Sequence, residues 1–207
     1  MINLKDSSEY MSKNRLETLV DGIFAIAMTL LVFDLPIPRF NGPLTDAIFQ
    51  SSIYSLLPVF ISLTLSFILL AVFWNIHRRI FNQIDVTNNI LLWTNIIWLL
   101  FIVLVPFTSI LSGEYGQFIL SRVLFNVNML GIAVFLYLNC YFVSRSEFLN
   151  EKSDMAKLKS SKRSSLFFIV ITILALFLAF LTPHWSFVYV LIIPFELLID
   201  RYFKNST

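Results

Sequence analysis

The stretch RLETLVDGIFAIAMTLLVFDLPIP, residues 15–38, decides the fold of this chain, because its apolar run is long enough to cross a lipid bilayer. A spanning α-helix needs about 20 mostly apolar residues, since each residue rises about 1.5 Å through a hydrocarbon layer about 30 Å thick. The run ends at Pro36 and Pro38, which cannot continue a helix. Near its start lies Asp21, a charge that is costly inside a membrane. The stretch therefore predicts a membrane helix with an acidic group at one end.

The composition extends this prediction to the whole chain. Of its 207 residues, 57% are hydrophobic and only 14% are charged, which is far from the composition of a soluble domain. Segments of about 10 residues with alternating hydrophobicity, which are typical of transmembrane β-strands, are absent. The predicted spans are 17–35, 52–77, 88–112, 118–143, 164–182 and 185–199. We therefore expect an all-α polytopic membrane protein with six transmembrane helices, in which residues 1–207 form a single domain.

The basic residues predict the orientation. Of the 15 Lys and Arg residues, 13 lie on one side of the predicted spans, and Arg39 and Arg122 lie on the other. By the positive-inside rule, both termini are expected in the cytoplasm. The loop around Lys157–Arg163 is interpreted as a topology signal rather than as a lipid or RNA site. We expect no nucleic-acid partner.

Motifs for catalysis or metal binding are missing from the sequence. It contains no Gly-rich phosphate loop, no Gly-x-Ser-x-Gly, no Cys-x-x-Cys and no His-Glu-x-x-His. The two histidines, His77 and His184, are predicted on opposite sides of the membrane, so they cannot form a His-based metal site together. Cys140 is the single cysteine and has no partner for an internal disulfide. We expect no enzyme, no catalytic residue, no bound metal and no cofactor.

One face of the first predicted helix is bulky and apolar on a helical wheel. Its residues are Leu19, Ile23, Ile26, Leu30 and Phe33, with Thr29 at its edge. Ala25, Ala27 and Gly22 lie around Ile26, and small residues let membrane helices approach closely. Such a face is usually packed core or lipid-facing. A ring of apolar side chains can also gate a pore by dewetting, and Asp34 lies just beyond the end of the face to attract cations.

Asp21 points away from that face and is open to two interpretations. It can form a buried network with Arg15 and with groups at the end of the second span, such as His77 and Arg78, which would fix the orientation of the first helix. Alternatively, Asp21 reaches the cytoplasmic interface, which is about one turn away. The pattern alone does not separate the two.

The stretch RLETLVDGIFAIAMTLLV, residues 15–32, resembles the first-helix signature of the transmembrane protein 175 family, the lysosomal and prokaryotic potassium channels. That signature reads Arg-x-x-x-Phe-Ser-Asp, followed by an apolar helix with a threonine. Arg15 and Asp21 match it, whereas Leu19 and Val20 replace the phenylalanine and the serine.

Two further segments resemble the same family. They are Trp74-x-x-His77 at the end of the second span and LVPFTSILSGEY, residues 104–115, at the end of the third. The similarity covers the front half of the chain closely and the back half in topology alone. A single repeat of six spans is similar to the prokaryotic members, which implies a location in the prokaryotic plasma membrane.

The resemblance implies a homotetramer in which the first helix of each subunit lines a central pore for potassium ions. It implies that Ile26 forms the apolar constriction, that Leu30 and Phe33 form further pore layers, and that Thr29 forms a threonine layer. The residues implied as the packing network around the pore helix are Arg15, Asp21, Trp74 and His77.

Two other functions stay open. A secondary transporter would be expected to show inverted repeats and broken midplane helices with polar groups, and we predict neither from the sequence. A membrane scaffold without conduction needs no special residue pattern.

Overall fold

The computed structural model describes residues 11–33, 35–40, 42–145, 149–150, 153–181 and 189. Within these residues the protein is a bundle of long α-helices with one short antiparallel strand pair. The helices are α1 (Lys13–Phe33), α2 (Asp46–Ser55), α3 (Leu57–Phe81), α4 (Asn89–Val103), α5 (Val105–Glu114), α6 (Ile119–Ser144) and α7 (Met155–Ala179). The strands are β1 (Met11–Ser12) and β2 (Val86–Thr87).

The described residues contain 5 helical segments that are long and apolar enough to cross a membrane. They are Lys13–Phe33, Asp46–Phe81, Asn89–Glu114, Ile119–Ser144 and Met155–Ala179. The prediction of an all-α, multi-pass membrane protein is confirmed at this level. The predicted sixth span, 185–199, lies outside the described residues except for Tyr189, and so do Asp34 and His184.

The start of α7 differs from the prediction. The fifth span was predicted at 164–182, but the helix already begins at Met155. The Asp154 carboxylate accepts a hydrogen bond from the backbone N–H of Ala156 at 2.8 Å and caps the new helix. The Lys and Ser residues that follow are therefore helical, although hydropathy alone suggests a loop.

Two of the spans are interrupted by a single residue close to a proline. Leu56 separates α2 from α3 before Pro58, and Leu104 separates α4 from α5 before Pro106. Proline has no backbone N–H and clashes with the carbonyl group of the preceding turn, so a regular helix cannot pass through it. The break is small, because Thr108 N–H still donates to the carbonyl of Leu104 at 3.0 Å.

The interruption at Leu56 also sets α2 apart from the bundle. Together α2 and α3 cover 36 residues, which corresponds to about 54 Å of helix against a hydrocarbon layer of about 30 Å. No residue of α2 is buried. We infer that α2 extends beyond the hydrocarbon layer or lies at its surface.

Three connections meet at one end of the bundle, which we call the basic end because Arg78, Arg79 and the Lys residues of α7 lie there. The pair of β1 and β2 ties the start of α1 to the turn between α3 and α4. Gln83, in that turn, accepts hydrogen bonds from Asn150 N–H at its backbone oxygen (3.0 Å) and from Asp154 N–H at its side chain (2.6 Å). The chain therefore returns to the same end after α3 and after α6, as the charge pattern predicts.

Arg122 anchors the opposite end. The charge pattern predicted it as one of two basic residues on the outer side, and the structure buries it on α6. Its Nη2 and Nε donate to the carbonyl oxygen of Ala179 at 2.7 and 3.1 Å, and its Nη1 donates to that of Gly116 at 2.8 Å. A cation is favourable at a helix C-terminus, where unpaired carbonyl groups accumulate. Arg122 thus joins the end of α7 to the turn between α5 and α6.

Candidate functional site

The first helix has one face that is packed inside the bundle. Its buried residues recur every three or four positions, as expected for a helix with one packed stripe. They are Leu16, Val20, Phe24, Ala27 and Leu31. The ring of Phe24 lies 5.4 Å from the ring of Trp98 on α4. Because this stripe packs against α3, α4 and α5, the rotation of α1 about its axis is determined.

The opposite face of α1 carries the predicted pore residues. Ile26 is 60% exposed, Leu30 41% and Phe33 82%, and Thr29 is exposed beside them. The packing of the other face therefore turns all four side chains away from the rest of the chain. This is the arrangement that a pore wall and a lipid-facing surface share, so their role in permeation stays a prediction.

The hydroxyl group of Thr29, on this face, forms a hydrogen bond within α1. Its Oγ1 donates a hydrogen bond to the carbonyl oxygen of Ile26 at 2.8 Å. The hydroxyl hydrogen is thereby directed into the helix, and the oxygen is left as an acceptor on the exposed side. An acceptor oxygen is the group that a passing cation requires.

Gly22 lies on the exposed side of α1. A Cβ atom at this position would meet nothing within 4 Å. Glycine inside a helix costs about 1 kcal/mol relative to alanine. No contact within the described part of this chain requires a glycine at position 22. In contrast, a Cβ at Gly113 would lie 2.9 Å from the Cα of Val59, so the close packing of α5 against α3 requires that glycine.

The structure joins Asp21 to Trp74. The Nε1–H of Trp74, on α3, donates to Oδ1 of Asp21 at 2.8 Å, and the guanidinium of Arg78 lies over the Trp74 ring at 5.6 Å. Asp21 itself is exposed, and it lines a cavity of about 310 Å³ between α1 and α3 together with Trp74, His77 and Arg78. The Asp21 carboxylate is therefore exposed to solvent and also hydrogen-bonded to a neighbouring helix.

His77 lines the same cavity as Asp21 and Trp74, but its hydrogen bonds belong to a different group of residues. It is buried, with its ring between those of Phe81 (4.2 Å) and Trp98 (4.7 Å). Its Nε2 lies 2.8 Å from Oδ1 of Asn95, which is an acceptor, so Nε2 carries the proton. Asn95 in turn donates from Nδ2 to Oδ1 of Asn139 at 2.9 Å. This polar chain links α3, α4 and α6, and it does not pass through Asp21.

Arg15 lies outside both groups. Its side chain is exposed, and it forms no hydrogen bond or ion pair with a residue that the structure describes. Since Arg15 precedes Asp21 by six positions, the two side chains point about 240° apart around the helix. Asp21, Trp74 and His77 thus line one cavity, but they do not form one set of hydrogen bonds: Trp74 bonds to Asp21, and His77 bonds to Asn95.

Asn139 was not identified from the sequence. The signal that could have found it is an amide within an apolar span, because polar groups at bilayer depth are costly and need partners. The distance of 44 positions between Asn95 and Asn139 hides their contact from any local pattern.

A second polar cluster follows the interruption at Leu104. Ser62 donates to the carbonyl oxygen of Ser109 at 2.8 Å, and Ser66 donates to Oγ of Ser109 at 2.8 Å. Nearby, Asn128 donates to Oγ1 of Thr108 at 3.3 Å. These polar groups lie beside the single-residue interruption at Leu104. Their hydroxyl groups bond to one another and to backbone, which ties α3, α5 and α6 together.

Comparison with known proteins identifies related sequences. Residues 15–106 match the family described as endosomal/lysosomal potassium channel TMEM175. A potassium channel of Chryseobacterium sp. (strain P1-3) is 26% identical over 177 residues, which cover 84% of this chain and 86% of that protein. A potassium channel of Chamaesiphon minutus is 34% identical over 110 residues, or 53% of this chain and 54% of the relative.

The fold matches a solved structure of the same kind. The crystal structure of a lysosomal potassium-selective channel TMEM175 homolog from Chamaesiphon minutus superposes with a TM-score of 0.80 at 26% sequence identity. The match covers 91% of this chain and 98% of that one. Together these comparisons confirm the family resemblance that the first helix indicated.

Proposed function

We propose that this chain, which is a relative of the TMEM175 potassium channels, is one subunit of a potassium-permeable cation channel. The observation that carries the proposal is the orientation of α1. Its packed stripe turns Ile26, Leu30 and Phe33 outward together, on a helix that is long enough to span the membrane. The relatives support potassium as the permeant ion, since two are named potassium channels and the solved structure is described as a homolog of the lysosomal potassium-selective channel TMEM175.

The functional unit that we propose is a homotetramer with α1 of each subunit at the central axis. Gly22 supports the close approach of another chain, because nothing within its own chain limits the size of this residue. Membrane helices associate through close packing of small residues rather than through hydrophobic exclusion. In this arrangement the Asp21–Trp74 hydrogen bond and the packing of Phe24 on Trp98 hold each α1 at a fixed rotation.

The gate that we propose is a ring of Ile26 side chains. A narrow apolar ring excludes water, and an ion cannot cross it without its hydration shell. Leu30 and Phe33 continue the apolar wall, and the Thr29 oxygen is an acceptor for the ion between these layers. Because conduction through such a pore involves no bond chemistry, we expect no catalytic residue, metal or cofactor. The partners are K⁺, the bilayer and further copies of the chain.

The orientation follows from the basic end. We propose that this end faces the cytoplasm of a prokaryotic cell, with the protein in the plasma membrane and both termini cytoplasmic. Arg78 and Arg79 at the end of α3, and Lys157 near the start of α7, support this orientation. Arg122, on the opposite side, is buried against backbone carbonyl groups and does not weaken the asymmetry.

A flux assay separates the channel from its alternatives. Purified protein is reconstituted into K⁺-loaded liposomes, diluted into a buffer with an impermeant cation, and the loss of K⁺ is followed with a proton ionophore for charge balance. A channel releases K⁺ without any coupled ion, a secondary transporter requires a second ion that moves with K⁺, and a scaffold leaves the gradient standing. Either of the last two results would overturn the proposed function.

The gate has its own test within the same assay. Ile26→Asn places a polar side chain in the constriction and is expected to increase the K⁺ flux, because a wetter ring lowers the barrier for the ion. Val32→Asn is the matched control, because Val32 is 58% exposed on α1 but points away from the Ile26 side. If both variants changed the flux equally, the Ile26 ring would not be the gate.

A further inference from the structure

The exposed face of α7 carries cations at one end and apolar side chains along the rest. We call this face the α7 stripe. Its residues are Lys159, Arg163, Leu166, Val170, Leu174 and Phe177. Their spacing of three or four positions places them on one side of the helix, and all of them are exposed. The stripe therefore combines a charged head with an apolar track on a single helix.

The cations of the stripe lack a counter-charge in the described part of the chain. Lys159 and Arg163 form no ion pair with a described carboxylate, whereas Lys157, two positions before Lys159 and on another face, lies 3.6 Å from Asp154. The positive charge is reinforced by Lys162, whose Nζ lies 5.5 Å from the ring centre of Tyr137 on α6. A cation over an aromatic face keeps its full charge. The head of the stripe is thus an unneutralised positive patch.

We propose that the α7 stripe binds an anionic phospholipid of the leaflet at the basic end. The phosphate lies between Lys159 and Arg163, where the guanidinium offers paired N–H donors to phosphate oxygens. An acyl chain follows the apolar track from Leu166 to Phe177. This track extends for about 17 Å of helix, which matches the depth of about 15 Å of one leaflet. The positive charges that we first interpreted as a topology signal then also select a lipid.

A lipid fits this face better than a second copy of the chain does. The apolar track consists of the large residues Leu166, Val170, Leu174 and Phe177, without a glycine or alanine among them. Close contact between membrane helices favours small residues, as around Gly22 on α1. A protein partner would also have to bring carboxylates to two unpaired cations, which a phospholipid provides through its phosphate.

The experiment measures lipid binding to the purified, assembled protein by native mass spectrometry. Phosphatidylglycerol and phosphatidylcholine are titrated separately, because they share acyl chains and differ in net charge. The double variant Lys159→Gln/Arg163→Gln is expected to bind phosphatidylglycerol about 30-fold more weakly, since each basic residue near the surface contributes about 1 kcal/mol. Its weaker binding of phosphatidylcholine is expected to stay unchanged.

Two further variants serve as controls. Lys159→Arg/Arg163→Lys keeps both charges and is expected to retain phosphatidylglycerol, which shows that the stripe survives substitution. Lys157→Gln removes one charge from the Asp154 pair and is expected to leave binding within about twofold.

Four results would overturn the proposal. The double glutamine variant could bind phosphatidylglycerol like the wild type, or it could lose phosphatidylcholine equally. Lys157→Gln could lose as much affinity per charge, which would indicate a diffuse surface potential. Finally, the double glutamine variant could change the number of subunits in the assembly, which would show that the stripe contacts protein. Each result is independent of whether the protein conducts ions.

Discussion

The hydrogen bond between Trp74 and Asp21 can be tested with a double-mutant cycle. Trp74→Phe keeps an aromatic ring under Arg78 but removes the Nε1–H that donates to Asp21 at 2.8 Å. Asp21→Ala removes the acceptor. The double variant measures what remains when both partners are absent, so that losses of packing at each site cancel.

The expected coupling is about 1 kcal/mol for each subunit. A hydrogen bond to a charged group contributes about 1.5–3 kcal/mol when it is protected from water. Asp21 is exposed, however, so water replaces part of the lost bond, and exposed charged contacts are worth about 0.2–1 kcal/mol. The expected coupling energy of about 1 kcal/mol therefore lies at the upper end of the range for exposed contacts and below the range for protected ones.

The free energy of unfolding is measured for the four proteins of the cycle in mixed detergent micelles, by titration with a denaturing detergent and far-UV circular dichroism. Trp93→Phe, combined with Asp21→Ala, is the control, since Trp93 is 62% exposed and makes no hydrogen bond to Asp21. A coupling energy below about 0.3 kcal/mol for Trp74 and Asp21 is within the limit of additivity and would refute the reasoning. It would mean that the rotation of α1 depends on its apolar stripe alone.

Four further predictions concern the packing of α1 and of α5. Asp21→Ala is expected to reduce the tetrameric fraction in size-exclusion chromatography more than it alters ion preference in the flux assay; a normal tetramer with changed preference would contradict the role of Asp21 in orientation. Gly22→Leu is expected to reduce the tetrameric fraction with little loss of helicity. Gly113→Ala is expected to lower the free energy of unfolding by about 1–3 kcal/mol, because its Cβ would lie 2.9 Å from the Val59 Cα. Phe24→Ala is expected to cost about 3–5 kcal/mol in detergent unfolding, because the ring is only 2% exposed; a loss as small as that of Ile26→Ala would show that the two faces are misassigned.

The helical spans were predictable because a membrane makes each of them a local property of the sequence. An apolar run of sufficient length must satisfy its backbone groups internally, whatever its neighbours are. Residues 13–33 and 119–144 accordingly lie close to the predicted spans at 17–35 and 118–143. The start of α7 was not predicted because a polar segment was expected to be a loop. Here Asp154 caps the helix and Lys has good helix propensity, so the polar segment is helical.

The partners of the polar side chains were not predictable in the same way. The family resemblance grouped Asp21, Trp74 and His77, but His77 bonds to Asn95 and is enclosed by Phe81 and Trp98. Which pair forms depends on helix rotations that the packing of distant residues sets. A hydropathy pattern indicates how deep a residue lies in the membrane, but it does not indicate which neighbouring helix the side chain faces.

The sequence by itself determined that this chain is a multi-pass helical membrane protein, and the pattern of its first helix indicated the family. It also determined that Ile26, Leu30 and Phe33 share one side of that helix, because the helical repeat is a local property. Only the tertiary structure decided that this side is turned outward and that Phe24 and Leu31 are turned inward. The reason is that both sides are apolar, so that hydrophobicity does not distinguish them, and the choice follows from how closely each side packs against α3, α4 and α5.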